Sequence, residues 1–346
     1  MFHKLLPFLA LAAFWSSCNP DFKVGAPYKE VSVVYALLSA SDTANYIKIT
    51  KGFFDDRIDN LLIARNADSL YYKNLEVKLQ ELNNGNVVNT FTLTKVDANL
   101  EGFEKDSGTF VSSPNYAYKH KGTLNPTRQY KLLIKNSETG KEITGTTDII
   151  PVGNSVFYLI VPFVNPFGPT TSRLMFNDAG RPQDVRWGGP DNAAVYDVRI
   201  RVWYEEKNTN TLKTDYKFKD LLLSSNISAS ANNFATISPE DFFRVLNSEV
   251  TAAPNFISRY IDTPELIITA GGSVLKTYID INSAQSGITF DQIKPNFTNL
   301  TGEDVIGFLS TRGSIVRSIP FNDATIDSIL YGSYTRNLNF VGRSTR

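Results

Sequence analysis

Thiol and imidazole side chains, the commonest carriers of covalent and transition-metal chemistry, are few in this sequence, and their spacing narrows what they can do. Cys18 is the only cysteine, and His3 and His120 are the only histidines. One thiol cannot close an intrachain disulfide, and a cysteine-rich zinc site is excluded. His120 lies in Tyr116-Ala117-Tyr118-Lys119-His120-Lys121, an alternating segment in which it shares the parity of the two tyrosines. A Ser-His-Asp triad would have to use it. No strand–turn–helix nucleophile elbow accompanies it, so a histidine at a strand end is expected.

Oxygen ligands cluster at Asp55-Asp56-Arg57-Ile58-Asp59-Asn60. Asp55, Asp56 and Asp59 could supply part of the six to eight oxygens that a hard cation takes. The glycine and terminal glutamate of an EF-hand loop are missing and Arg57 intervenes, so a solvated loop is the expected reading and no metal is assigned. A pair of carboxylates facing each other across a cleft would suit a glycosidase. Nothing in the spacing selects such a pair. No glycine-rich phosphate loop occurs, and no cofactor is expected.

Two tryptophans are candidates for an interaction surface. Trp187 sits in Trp187-Gly188-Gly189-Pro190, ahead of a long alternating segment. It suits either the closed end of a sandwich core or an exposed platform for a sugar ring. In the segment itself, Tyr196, Val198, Ile200, Val202 and Tyr204 share one face, whereas Asp197, Arg199, Arg201, Trp203 and Glu205 share the other. If the first face is the core, Trp203 stands outside it, and large exposed apolar groups mark interfaces.

These residues need a scaffold, and composition bounds it. The chain has 346 residues, which suggests about two domains at roughly 150 residues each. It is 42% hydrophobic and 20% charged, a globular composition. Lys and Arg number 35, as do Asp and Glu. That balance argues against bulk electrostatic binding of nucleic acid, although it leaves room for a local patch.

His3 and Lys4 precede an apolar run from Leu5 to Trp15, and Ser16 and Ser17 follow. The run is too short for a permanent span, which takes about 20 residues, and matches an export signal over 1–17. Residues 18–29 then read as a leash rich in Pro, Gly and charge.

From Val31 the pattern is repeated short strands. Val31–Leu38, Tyr46–Thr50, Leu75–Gln80 and Val87–Thr94 are strand candidates, and Asn83-Asn84-Gly85-Asn86 predicts a hairpin turn. Tyr130–Lys135 and Lys141–Asp148 predict a second hairpin. The stretch from Gly122 to Tyr130 has the look of a strand-to-strand corner of an immunoglobulin- or fibronectin-type sandwich. A mainly β protein is expected, with two such antiparallel sandwich domains at 30–150 and 154–340. In the second, Leu212–Phe218, Leu266–Thr269, Val274–Ile281 and Gly313–Ile319 are strand candidates. One helix is expected near 239–252, capped by Ser238 with Pro239 in its first turn, and a shorter one over Asp323–Leu330.

Ser17-Cys18 after the apolar run resembles a bacterial lipoprotein signal, in which the cysteine is lipidated and becomes the first mature residue. This resemblance implies attachment to a membrane through Cys18. Three further stretches extend the likeness. They are Val33–Leu38 leading into Tyr46–Lys51, Val185-Arg186-Trp187 leading into the Tyr196 strand, and Asn296–Leu300 followed by Gly307-Phe308. Together they resemble Bacteroidetes-type outer-membrane lipoproteins of uncharacterised function. That implies a non-enzymatic accessory or docking subunit, partnered by an outer-membrane protein such as a TonB-dependent receptor or a surface machine. The sequence leaves open which face of the outer membrane it occupies. A surface glycan-binding lipoprotein and a carboxylate-dependent hydrolase are the alternatives.

Overall fold

The computed structural model describes residues 29–54, 64–153, 155–160, 173–176, 182–283 and 297–342. The segment containing Cys18 and the Asp55, Asp56 and Asp59 cluster lie outside the described residues.

The first part of the chain forms β1 (Lys29–Ser39), β2 (Ala44–Phe54), a short helix α1 (Ala67–Leu70), β3 (Leu75–Asn83), β4 (Asn86–Thr92), β5 (Thr94–Asp97), β6 (Tyr116–Lys121), β7 (Gln129–Asn136) and β8 (Glu142–Asp148). There follow β9 (Tyr158–Ile160), β10 (Gln183–Gly188), β11 (Ala193–Asn208), β12 (Thr214–Ser228), β13 (Asn233–Ile237) and α2 (Pro239–Glu249). The last part holds β14 (Ile257–Ile261), β15 (Glu265–Gly272), α3 (Ser273–Ser283), β16 (Thr301–Gly302), β17 (Val305–Ser318) and α4 (Asp323–Tyr331).

The protein is mainly β. A nine-stranded sheet runs β12-β11-β15-β17-β1-β2-β6-β5, with β14 also paired to β11. A five-stranded sheet (β16-β8-β7-β3-β4) and a three-stranded sheet (β13-β10-β9) pack against it. The long sheet does not break at 150–154. Strands from the two expected bodies meet where β1 runs parallel to β17, Ala36 beside Leu309. Other strand pairs among the described residues are antiparallel. Gly307 fits this junction because its φ is +99° and a Cβ there would stand 2.0 Å from the Val34 carbonyl oxygen.

Register places both apolar clusters on one face of the long sheet. Ile47 pairs with Ala36 and Ala36 with Leu309. Further along, Ile315 pairs with Ile268, Ile268 with Val198, and Ile200 with Leu221. The five-stranded sheet covers the first half of this face with Val77, Leu79, Leu132, Ile134 and Ile143. The three-stranded sheet and the helices α2 and α4 cover the second half, with Trp187, Phe242, Leu246 and Ile329 among the buried side chains. The clusters meet at Ile149 and Ile150. We call this the inner face, and the opposite one the outer face.

Local signals explain several elements. Asn84 and Gly85 take φ of 49° and 81°, the paired positive values of a tight two-residue hairpin turn between β3 and β4. Tyr130 closes the expected corner, its hydroxyl accepting the Asn125 N–H at 2.8 Å. At α2, the Ser238 hydroxyl accepts the Asp241 N–H at 3.0 Å and Pro239 stands in the first turn.

One expectation is overturned. Val274–Ile281 is part of the helix α3, not a strand. The run reads as alternating, but Leu275 and Tyr278 are also three apart and reach one side of a helix. Leu275 lies over Gly271, and Tyr278 packs on Phe308 and Tyr35 with centroids 4.7 and 5.9 Å apart. Lys276 and Asp280 pair one turn apart at 2.7 Å. The helix therefore covers the middle of the outer face.

Candidate docking face

Trp203 is held by β11, whose alternation is the most regular in the chain. Tyr196, Val198, Ile200, Val202 and Tyr204 are all buried on the inner face. Each contributes about 1.5–3 kcal/mol of hydrophobic stabilisation, enough to set the strand's facing. A slip of one residue would bring Arg199, Arg201 and Glu205 into the core. Trp203 is thereby placed on the outer face, half-buried.

The neighbouring strand completes the surface. In the β11–β12 register Arg199 faces Leu222, Arg201 faces Asp220, Trp203 faces Phe218 and Glu205 faces Tyr216. Directly opposed side chains are the contacting pairs of a sheet. Trp203 and Phe218 pack with centroids 4.8 Å apart. The Arg201 guanidinium lies 4.5 Å from the Phe218 ring centre and 5.7 Å from that of Trp203. It also donates to both Asp220 carboxylate oxygens, at 2.6 and 2.8 Å. The Trp203 Nε1–H donates to Glu265 Oε2 at 3.1 Å. The polar end of each of these groups is thus occupied from within the sheet, and the pair of rings with Arg201 over them remains partly exposed on the outer face. Tyr216 is 75% exposed, Phe218 46%, Leu222 44% and Val316 43%. Among the described residues β12 ends the long sheet, so the patch reaches its edge strand.

Trp187 requires a correction, because it is not a surface residue. Its indole is 1% exposed and packs edge-on against Tyr196, 5.3 Å between centroids. The reason is the Gly188-Gly189 pair. A Cβ on Gly188 would stand 2.4 Å from Tyr158, and one on Gly189 would stand 1.8 Å from the Tyr196 hydroxyl. The two glycines let the aromatic side chains close over this end of the core, and burial pushes the Tyr196 hydroxyl up to about 12. His120 is buried at a strand end with its ring 4.7 Å from that of Phe91, and burial holds it below the usual imidazole value.

Among the described residues, no group of three or more His, Cys, Asp or Glu side chains is placed to hold a metal ion. No helix among them is long and apolar enough to cross a membrane. Reading β11 alone finds Trp203 and Arg201 but misses Phe218, Tyr216 and Leu222. They join the patch through a register that only the folded hairpin supplies. In comparisons with known proteins, the chain matches no family model and no curated protein.

Proposed function

We propose that this chain is a non-enzymatic, lipid-anchored accessory subunit of the outer membrane, attached through Cys18 and docking a partner protein of the envelope on the outer face of β11 and β12. The observation that carries the docking reading is the Trp203–Phe218 pair with Arg201 against it. This group is built like the centre of a protein interface, where tryptophan, tyrosine and arginine dominate binding energy. Tyr216, Leu222 and Val316 extend it as exposed apolar surface, and the β12 edge offers backbone groups for a partner strand. The membrane anchor rests on the resemblance of the first 18 residues to a lipoprotein signal. The partner class, an outer-membrane protein such as a TonB-dependent receptor, rests on the wider resemblance.

The test is capture of partners from detergent-solubilised native membranes with the full-length tagged protein. The wild type is expected to retain an outer-membrane β-barrel protein, and the double variant Trp203→Ala/Phe218→Ala is expected to lose it. Recovery of the wild type as a lone monomer, or equal recovery by the double variant, would remove the docking reading. Mass analysis of the native protein tests the anchor separately, since an unacylated residue 18 would remove it.

A further inference from the structure

A second region of the outer face has the geometry of a small-molecule site. A cavity of about 790 Å³ opens over β17, β1, β2 and β6, at the end of the β1–β2 hairpin. Ligand pockets fall in the range of about 300–1,000 Å³. Ala44, Ala98 and Ala117 line it with nothing bulkier than a methyl group. Tyr46 and Phe103 form one corner, with centroids 5.0 Å apart and planes inclined at 61°. Phe103 is more than half exposed.

The walls are fixed in advance by hydrogen bonds. Asn45 is buried, its side chain accepting from the Ser39 N–H at 2.7 Å and donating to the Ser39 carbonyl at 3.1 Å. This holds the turn that carries Asp42, whose carboxylate accepts from Arg312 at 2.8 Å. On the opposite side, Asp97 accepts the N–H groups of Asn99 and Asn115, at 3.1 and 3.0 Å. Asn115 donates to the Phe103 carbonyl at 3.0 Å, and the Phe103 N–H donates to Ala98 at 2.9 Å. Glu101 accepts from the Tyr46 hydroxyl at 3.0 Å and pairs with Lys119. Lys48 is held in place by Tyr71, the Tyr116 carbonyl at 2.8 Å and Asn115. A binding site whose side chains are already immobilised loses little further entropy when a ligand arrives.

We propose that this groove binds a short, neutral oligosaccharide. The aromatic corner suits the apolar face of a pyranose ring, since the exposed Phe103 ring, backed by the half-buried Tyr46, presents a weakly hydrated surface. The Asp42–Arg312 and Glu101–Tyr46 pairs set planar acceptors and donors at the rim, matched to neighbouring hydroxyl groups. Charge selects neutrality, because Asp42 and Glu101 balance Lys48 and Arg312 within the lining. A peptide strand is disfavoured by the floor. Among the described residues β1 is paired with β17 and β2, and β2 with β1 and, over Ala44–Ile47, with β6, so the strands under this part of the floor already have their neighbours.

The chemistry is binding and not cleavage. The Lys119 and Tyr46 hydrogen bonds hold Glu101 below the usual carboxylate range, which keeps it ionised and a poor general acid. This groove is separate from the Trp203 patch, so either reading can fail alone.

The test is an array of neutral oligosaccharides of two to six rings from the malto-, cello-, xylo- and manno- series, with sialylated and uronic-acid series beside them. Calorimetric titration of any hit into the full mature protein follows. A neutral oligosaccharide is expected to bind, with affinity lowered at least tenfold by Phe103→Ala and unchanged by Trp203→Ala. Phe103 is exposed, so the fold should survive, and an unchanged thermal midpoint would verify that. Asp42→Asn is expected to weaken binding as a second variant. The proposal is overturned by binding to no neutral series, by binding confined to the acidic series, or by an affinity that Phe103→Ala leaves unchanged.

Discussion

The two faces of β11 use the same three chemical groups and reach opposite outcomes. On the inner face Arg259 lies against Tyr204, 5.6 Å from the ring centre, and pairs with Glu206 at 3.0 Å. It donates further to the Thr251 and Leu338 carbonyls at 2.8 and 2.9 Å, and the residue is buried. On the outer face Arg201 lies against Trp203 and Phe218 and pairs with Asp220, and this group stays open to solvent. An aromatic ring, a guanidinium and a carboxylate therefore make a buried clamp on one side and a solvent-facing group on the other. What differs is the covering layer. Water is excluded from the inner group, so each of its hydrogen bonds is needed there. The outer group is screened, and its polar bonds add little to stability.

The contrast is sharpest between the two tryptophans. Trp187→Ala should cost about 3–5 kcal/mol, because it empties the volume of a fully buried indole. Urea unfolding measures it, and a cost near zero would mean that this end of the core is not packed as described. Trp187→Phe should cost much less, since the buried Nε1–H has no hydrogen-bond partner among the described residues to lose.

Arg259→Ala should follow at about 3 kcal/mol, the usual loss on breaking a buried pair from one side. The accompanying pH dependence has a definite sign. Burial pushes Glu206 up, but the hydrogen bonds from Lys217 and Arg259 outweigh it and hold the carboxyl below its ordinary value of 4.5. A lowered folded value means that the unfolded chain binds the proton more readily. The contribution of Glu206 is therefore complete above about pH 5 and fades as the pH falls through the folded value. The stability difference between wild type and Glu206→Gln should shrink on acidification below pH 4.5. A difference that stays constant from neutral pH down to pH 3 would show the pair to be uncoupled from folding.

The outer face should respond weakly. Arg201→Ala and Trp203→Ala should each cost about 1 kcal/mol or less, because the groups remain partly hydrated. Their measurable effect should be on partner capture. Iodide quenching gives the smallest readout. Trp15, Trp187 and Trp203 are the three tryptophans, so protein prepared without residues 1–17 reports on Trp187 and Trp203 alone. The fluorescence of Trp187→Phe, carried by Trp203, should be quenched more strongly by iodide than that of Trp203→Phe. The reverse order would exchange the roles assigned to the two faces.

Much of the local architecture was legible before the fold. The alternation in β11 identified its buried side and placed Trp203 opposite, because a period of two leaves only one assignment that keeps Arg199 and Arg201 out of the core. Asn84-Gly85 and Ser238-Pro239 marked a hairpin and a helix start through backbone preferences that act within a few residues. Val274–Ile281 misled, since a short apolar run fits both a strand and one face of a helix, and packing on Phe308 and Tyr35 decided between them. Trp187 was open to two readings, since a tryptophan beside two glycines suits an exposed turn as well as a closed core end, and Tyr158 and Tyr196 arriving from elsewhere decide for the core end.

What the sequence by itself determined was the mainly β character, the hairpins and the facing of individual strands, all of which depend on neighbours a few residues apart. The tertiary structure alone decided that β1 joins β17, that one sheet runs beneath both apolar clusters, and that Phe218 meets Trp203 and Phe103 meets Tyr46. These contacts join positions as much as about 270 residues apart, as Leu37 and Ser310 are in the parallel pair. No local periodicity encodes such a pairing, because its free energy arises only when the whole inner face is buried at once.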